Sequence, residues 1–118
     1  MSDEPITIYH NPRCSKSRQT LALLEHAGIS PRVIEYLDHP PTAEELATLA
    51  NQLDMQPGEF IRSREAAYNQ LIPPAGDRSP AELLAAMAAN PILIERPIVV
   101  RGNRAVLGRP PENVQQLL

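Results

Sequence analysis

Between Ile6 and Tyr36 the apolar period changes twice, and the order of those changes leaves few folds open. Ile6, Ile8 and Tyr9 make a short β-prone run that stops at His10-Asn11-Pro12, because proline removes a ladder donor and restricts the residue before it. Thr20, Leu23, Leu24 and Ala27 then fall on one stripe at helical spacing, with Gly28 as the stop. A second β-prone piece, Arg32 to Tyr36, follows at a distance suited to a βαβ crossover, which predicts a parallel strand pair.

Thr42 with Glu45 three residues on is a capping-box signal, and Leu46, Leu49, Ala50 and Leu53 give the helix it starts an apolar face. Ser79-Pro80 with Glu82 starts another helix, carrying Leu83, Leu84, Met87 and Ala88 and ending at Asn90-Pro91. Pro57 to Leu71 reads as short helices. Pro97 to Val100 and Ala105 to Leu107 return to the β period around Arg101-Gly102-Asn103-Arg104, a two-residue hairpin turn. A terminal helix begins near Pro110-Pro111-Glu112. The order βαβ, helical insert, ββα is that of an α/β thioredoxin-like fold with a four-stranded mixed sheet. The 13 prolines act as punctuation, since apolar periodicity continues between them. With 118 residues, 42% of them hydrophobic, the expectation is one domain over residues 1–118 with a helical insertion at about 41–90.

A net charge of −3 argues against a nucleic-acid footprint. No apolar stretch approaches the roughly 18 residues that suggest a membrane span. The first ten residues, MSDEPITIYH, lack the basic and long apolar regions of a signal peptide, so a cytoplasmic, soluble protein is expected. One cysteine excludes an internal disulfide, and any redox chemistry must borrow a second thiol. Ten of the eleven basic residues are arginine, whose planar fork suits oxyanions, although genomic composition would also explain the bias.

An isolated cysteine is most often a small buried hydrophobe. Cys14, however, lies in the polar run His10-Asn11-Pro12-Arg13-Cys14-Ser15-Lys16-Ser17-Arg18, where a strand ends and a helix begins. The helix dipole, its unsatisfied N–H groups, and Arg13, Lys16 and Arg18 all favour a thiolate there. Ser15 and Ser17 are either hydroxyl donors to the sulfur or caps of the helix. His10 either tunes the thiol or simply closes the strand. His26 and His39 have no metal-ligand spacing with the one cysteine, and no metal site is expected.

The hairpin is an independent clue. If Gly102-Asn103 is the turn, Arg101 faces Arg104, and the same antiparallel register sets Arg96 opposite Arg109. Opposed arginines repel unless Glu95, Glu112 or a bound anion lies between them. A strand opened by Arg96-Pro97 and antiparallel to the first would begin near the Cys14 loop. That would place a thiolate before an arginine-lined pocket suited to a tetrahedral oxyanion.

The block Ile8 to Arg18, the segment Phe60-Ile61-Arg62, the block Asn90 to Val100 and Gly108-Arg109-Pro110 together resemble the glutaredoxin-linked arsenate reductase (ArsC) family, especially its short bacterial members, over nearly the whole chain. The resemblance implies that Cys14 is the nucleophile, that His10 and Ser17 lower its pKa, and that Arg62, Arg96 and Arg109 bind the oxyanion. It also implies a cis Arg96-Pro97 bond. Arg62 rests on the resemblance alone, since its surroundings otherwise read as a solvated helix. The implied reaction is reduction of arsenate to arsenite with no bound cofactor, with glutathione as co-substrate and glutaredoxin as partner. The sequence ends at Leu118, whereas longer members continue with a C-terminal extension that carries none of these residues.

Two other classes compete. A redox-sensing regulator of this fold commonly pairs cysteines across C-x-x-C, and Ser17 occupies the second position here. A monothiol glutaredoxin-like protein that does not take arsenate as its natural substrate would leave three arginines unexplained.

Overall fold

The computed structural model describes residues 5–62, Tyr68 and residues 79–118. They fall into two compact units, one within residues 1–39 and 96–118 and one within residues 40–95.

The first unit is built on a four-stranded sheet of order β2-β1-β3-β4, with β1 Ile6–His10, β2 Arg32–Glu35, β3 Ile98–Arg101 and β4 Arg104–Leu107. β1 runs parallel to β2, with Ile8 beside Val33 and His10 beside Glu35. β1 is antiparallel to β3, with Tyr9 opposite Ile98, so the end of β1 and the start of β3 lie side by side. Arg101 pairs with Arg104 and Ile98 with Leu107, the register expected from a Gly102-Asn103 turn. The mixed α/β sheet expected from the order of periods is therefore present.

Helix α1, Ser15–His26, crosses between β1 and β2. Its Leu24 joins Ile6, Ile8, Val99, Val114 and Leu117 in the core. Its buried stripe is Ser17, Thr20 and Leu24 rather than the expected set running to Ala27. Ala27 is the exposed C-cap, one residue before Gly28 turns the chain out at φ 79°. β2 stops at Glu35, one residue short of the expected Tyr36, which is buried beyond the strand.

The expected terminal helix is a 3₁₀ helix, Pro111–Leu117. Its buried residues, Pro111, Val114 and Leu117, recur every third position, which matches three residues per turn and would drift off one face of an α-helix.

In the second unit, α2 (Ala43–Leu53) buries Leu46, Leu49, Ala50 and Leu53, as its period requires. Thr42 Oγ1 accepts from the Glu45 N–H at 3.1 Å while Glu45 Oε1 accepts from the Thr42 N–H at 3.0 Å, which completes the capping box. Helix α3, Pro80–Ala89, buries Leu83 and Met87 and starts from Ser79, whose hydroxyl accepts from the Glu82 N–H at 3.2 Å. Of the short helices expected from Pro57 to Leu71, a 3₁₀ turn at Pro57–Glu59 is present. The remainder of that stretch, beyond Arg62, lies outside the described residues apart from Tyr68.

One close approach ties α1 to the open end of the hairpin. A Cβ on Gly108 would stand 2.5 Å from Thr20 Oγ1 and 2.7 Å from Pro97 Cγ. Both neighbours are fixed, Thr20 by its hydrogen bond to the Lys16 carbonyl at 2.8 Å and Pro97 by its ring. Gly108→Ala should therefore destabilise the protein by about 1–3 kcal/mol, the scale of overpacking a filled site. The urea midpoint measures this; an unchanged midpoint would mean the hairpin end can move away from α1 at no cost.

Candidate active site

The chain leaves β1 at His10 and reaches α1 through a loop that Asn11 holds from both sides. Its carbonyl accepts from the Cys14 N–H and its Oδ1 from the Arg13 N–H, each at 3.0 Å. Arg18 Nη1 reaches back from α1 to the Pro12 carbonyl at 2.8 Å. These contacts deliver Cys14, half-buried, to the N-cap position of α1 with extended backbone, φ −94° and ψ 123°.

The cysteine thus stands where an ordinary helix would carry serine or aspartate. It makes no capping hydrogen bond as a thiol, but its anion would meet the unsatisfied N–H groups of the first turn. Burial alone pushes the Cys14 thiol pKa up. The Ser17 N–H, the charge of Arg96, the Lys16 N–H and a hydrogen bond from Arg96 outweigh it, and the net shift is downward. The side-chain charges of Arg13, Lys16 and Arg18, the cations nearest in sequence, are absent from these causes, whereas Arg96 comes from 82 positions away along the chain.

Ser17 is fully buried, and its hydroxyl lies 2.6 Å from His10 Nδ1 while accepting the Asn11 N–H at 3.0 Å. What Ser17 offers the sulfur is its backbone N–H, with the hydroxyl engaged by His10 and Asn11. Burial lowers the His10 pKa, Glu35 opposes that and Arg18 adds to it. The net shift favours a neutral ring at pH 7. His10 therefore supplies a hydrogen bond to Ser17 rather than a positive charge beside the thiol, and the packing of Ser17 keeps the first turn of α1 where its N–H groups face Cys14.

Arg96 immediately precedes Pro97 at the start of the β3 side of the hairpin. The Gly108 N–H donates to the Pro97 carbonyl at 2.9 Å, continuing the register one step beyond Ile98 and Leu107. Arg96 and Arg109 flank that last pair in the sequence, outside the paired strands. Arg96-Pro97 is cis, as the resemblance implied, and Arg109-Pro110 is cis as well. Arg62 belongs to the second unit, where its Nη1 donates to the Ile92 carbonyl at 3.3 Å and its backbone N–H to the Leu93 carbonyl at 2.7 Å. Within the first unit the structure brings together Cys14, His10, Ser17 and Arg96.

Sequence reasoning did not single out Asn11, Thr20, Glu35 or Gly108 as site residues. Asn11 was legible as a loop former before proline. The others act through neighbours distant in the chain, and no local pattern marks that role.

Residues 9–117 match the model of the ArsC family. A protein of Haemophilus influenzae named arsenate reductase is 44% identical over 114 residues, covering 96% of this chain and 98% of that protein. A protein of Escherichia coli K12 named uncharacterized protein YfgD is 45% identical, covering 96% of both. A solved structure described as arsenate reductase from Vibrio cholerae aligns with a TM-score of 0.94 and 49% identity, covering 98% of each chain.

Proposed function

The chain belongs to the ArsC family, and from that premise we propose that it reduces arsenate to arsenite, with Cys14 as nucleophile and glutathione and glutaredoxin supplying the remaining electrons. The observation that carries this reading is the Cys14 thiol itself, favoured as an anion by the Ser17 and Lys16 N–H groups and by Arg96. A cation that stabilises the attacking sulfur is also placed to hold the oxyanion the sulfur attacks. Arg109 and Arg62 complete the proposed oxyanion set, while His10 and Ser17 position the helix turn.

Electron counting defines the partners. Cys14 sulfur displaces one arsenate oxygen, which leaves as water after protonation. Glutathione then attacks the adduct, the two sulfurs become a disulfide, and arsenic departs as arsenite with two more electrons than it brought. The chain has one cysteine, so the second sulfur is external, and glutaredoxin reduces the resulting mixed disulfide. Phosphate, with the same shape and charge, should compete for the pocket without being reduced. The reaction belongs in the cytoplasm, where the thiol pool is kept reduced.

The test is arsenite formation by the purified chain with glutathione and glutaredoxin, run beside reduction of a glutathione mixed disulfide. Arsenite release that requires both reductants is expected. Turnover of the mixed disulfide with none of arsenate would instead identify a monothiol glutaredoxin-like protein.

A further inference from the structure

The strand order gives the Cys14 loop two flanks of opposite character. β1 is central, with β3 on one side and β2 on the other. Arg96, whose guanidinium acts on the sulfur, precedes β3. On the β2 side a cleft of about 320 Å³ is lined by His10, Asn11, Arg13, Glu35 and Asp38, with Pro12 and Leu37. This volume lies at the small end of small-molecule sites.

The cleft carries one more carboxylate than guanidinium, so it repels the dianionic oxyanion that the β3 side attracts. Of its lining residues His10 is 6% exposed and turns Nδ1 to Ser17. Its Nε2, with no hydrogen-bond partner among the described residues, is left for the cleft. His10 and Glu35 are register partners on neighbouring parallel strands, so the carboxylate stands beside the ring. Among the described residues no three histidine, cysteine, aspartate or glutamate side chains could together hold a metal ion. The cleft therefore asks for an organic cation that also carries an anionic group for Arg13.

We propose that this cleft binds the ammonium-carboxylate end of the γ-glutamyl arm of glutathione, with Glu35 and Asp38 holding the ammonium, Arg13 the carboxylate and His10 Nε2 a further hydrogen bond. The assignment rests on the glutathione-dependent reading above and adds a division of labour to it. Arsenate approaches Cys14 from the arginine flank and the reducing thiol from the acidic one, so the two anionic reactants do not compete for one set of cations. Arg13 is next to Cys14 in the chain, so a molecule anchored on it by one end keeps its flexible thiol arm close to the sulfur.

The test is an amide NMR titration with S-methylglutathione, whose blocked thiol cannot react, together with S-methyl-cysteinylglycine, which lacks the γ-glutamyl arm. Shifts at residues 10–13 and 35–38 are expected with the first ligand and not with the second. Glu35→Gln with Asp38→Asn should weaken the first by about tenfold or more. If that double variant loses its dispersed spectrum, Arg13→Ala is expected to weaken binding about fivefold from an exposed position. Shifts confined to other residues, no binding, or affinity unchanged by these substitutions would overturn the assignment. Binding in the cleft by a chain that forms no arsenite would leave the site standing and remove the arsenate reading. Arsenite formation with shifts elsewhere would do the reverse.

Discussion

Cys14→Ser is expected to reduce glutathione-dependent arsenite formation to the uncatalysed background while leaving the fold intact. The loss is chemical rather than structural. A serine hydroxyl is scarcely ionised at neutral pH and, being oxygen, cannot end the cycle as half of a disulfide, so neither the attack nor the electron transfer survives. The same substitution places serine at the N-cap of α1, a position where serine is a preferred residue. Stability should hold or rise by up to about 1 kcal/mol, the usual worth of a cap. Arsenite release and a urea midpoint measured on one preparation separate the two effects. Residual turnover above background in a fully folded variant would move the chemistry away from Cys14.

The second large effect is expected at Arg96. Its guanidinium lowers the Cys14 pKa by charge and by hydrogen bonding, against a burial cost that acts in the other direction. Arg96→Gln removes the charge and leaves the burial, opposed only by the Ser17 and Lys16 N–H groups, so the thiol pKa should rise. At pH 7 the reactive anion then becomes scarcer in proportion. The pH profile of Cys14 alkylation reads this directly, with the midpoint moving to higher pH. In arsenate reduction the variant loses both the thiolate and an oxyanion contact, and kcat/KM should fall about 10²–10³-fold, the scale of losing one positioned donor at a developing charge. Arg96→Lys restores charge without the planar fork and should recover the alkylation profile more fully than the turnover. An unshifted alkylation midpoint in Arg96→Gln would show that the helix N–H groups alone set the thiol.

Much of the first unit was legible because its determinants are local. The period of Ile6 and Ile8, the stop at Pro12 and the Gly102-Asn103 turn each act within a few residues, as does the cap at Thr42 in the second unit, and the structure retains all of them. The hairpin register was legible for the same reason: one turn type sets every pair that follows, out to Gly108 and Pro97. The terminal helix was less so. Its existence follows from Pro111, but its 3₁₀ winding depends on Val114 and Leu117 reaching a core shared with Ile6, Ile8 and Val99.

The thiol at the head of α1 shows where local information stops. By itself the sequence determined that one cysteine lies between a strand and a helix among polar neighbours, and hence that any reduction it begins must be finished by another thiol. The choice among its basic neighbours was tertiary. Arg13, Lys16 and Arg18 are adjacent in sequence, yet the side-chain charge that acts on the sulfur is that of Arg96, because β3 lies antiparallel to β1 and starts where β1 ends. Ser17 likewise contributes through its backbone rather than its hydroxyl, because His10 and Asn11 converge on that hydroxyl only once the loop has closed. Electrostatic effects depend on distance and orientation in space, and a sequence states distance only along the chain.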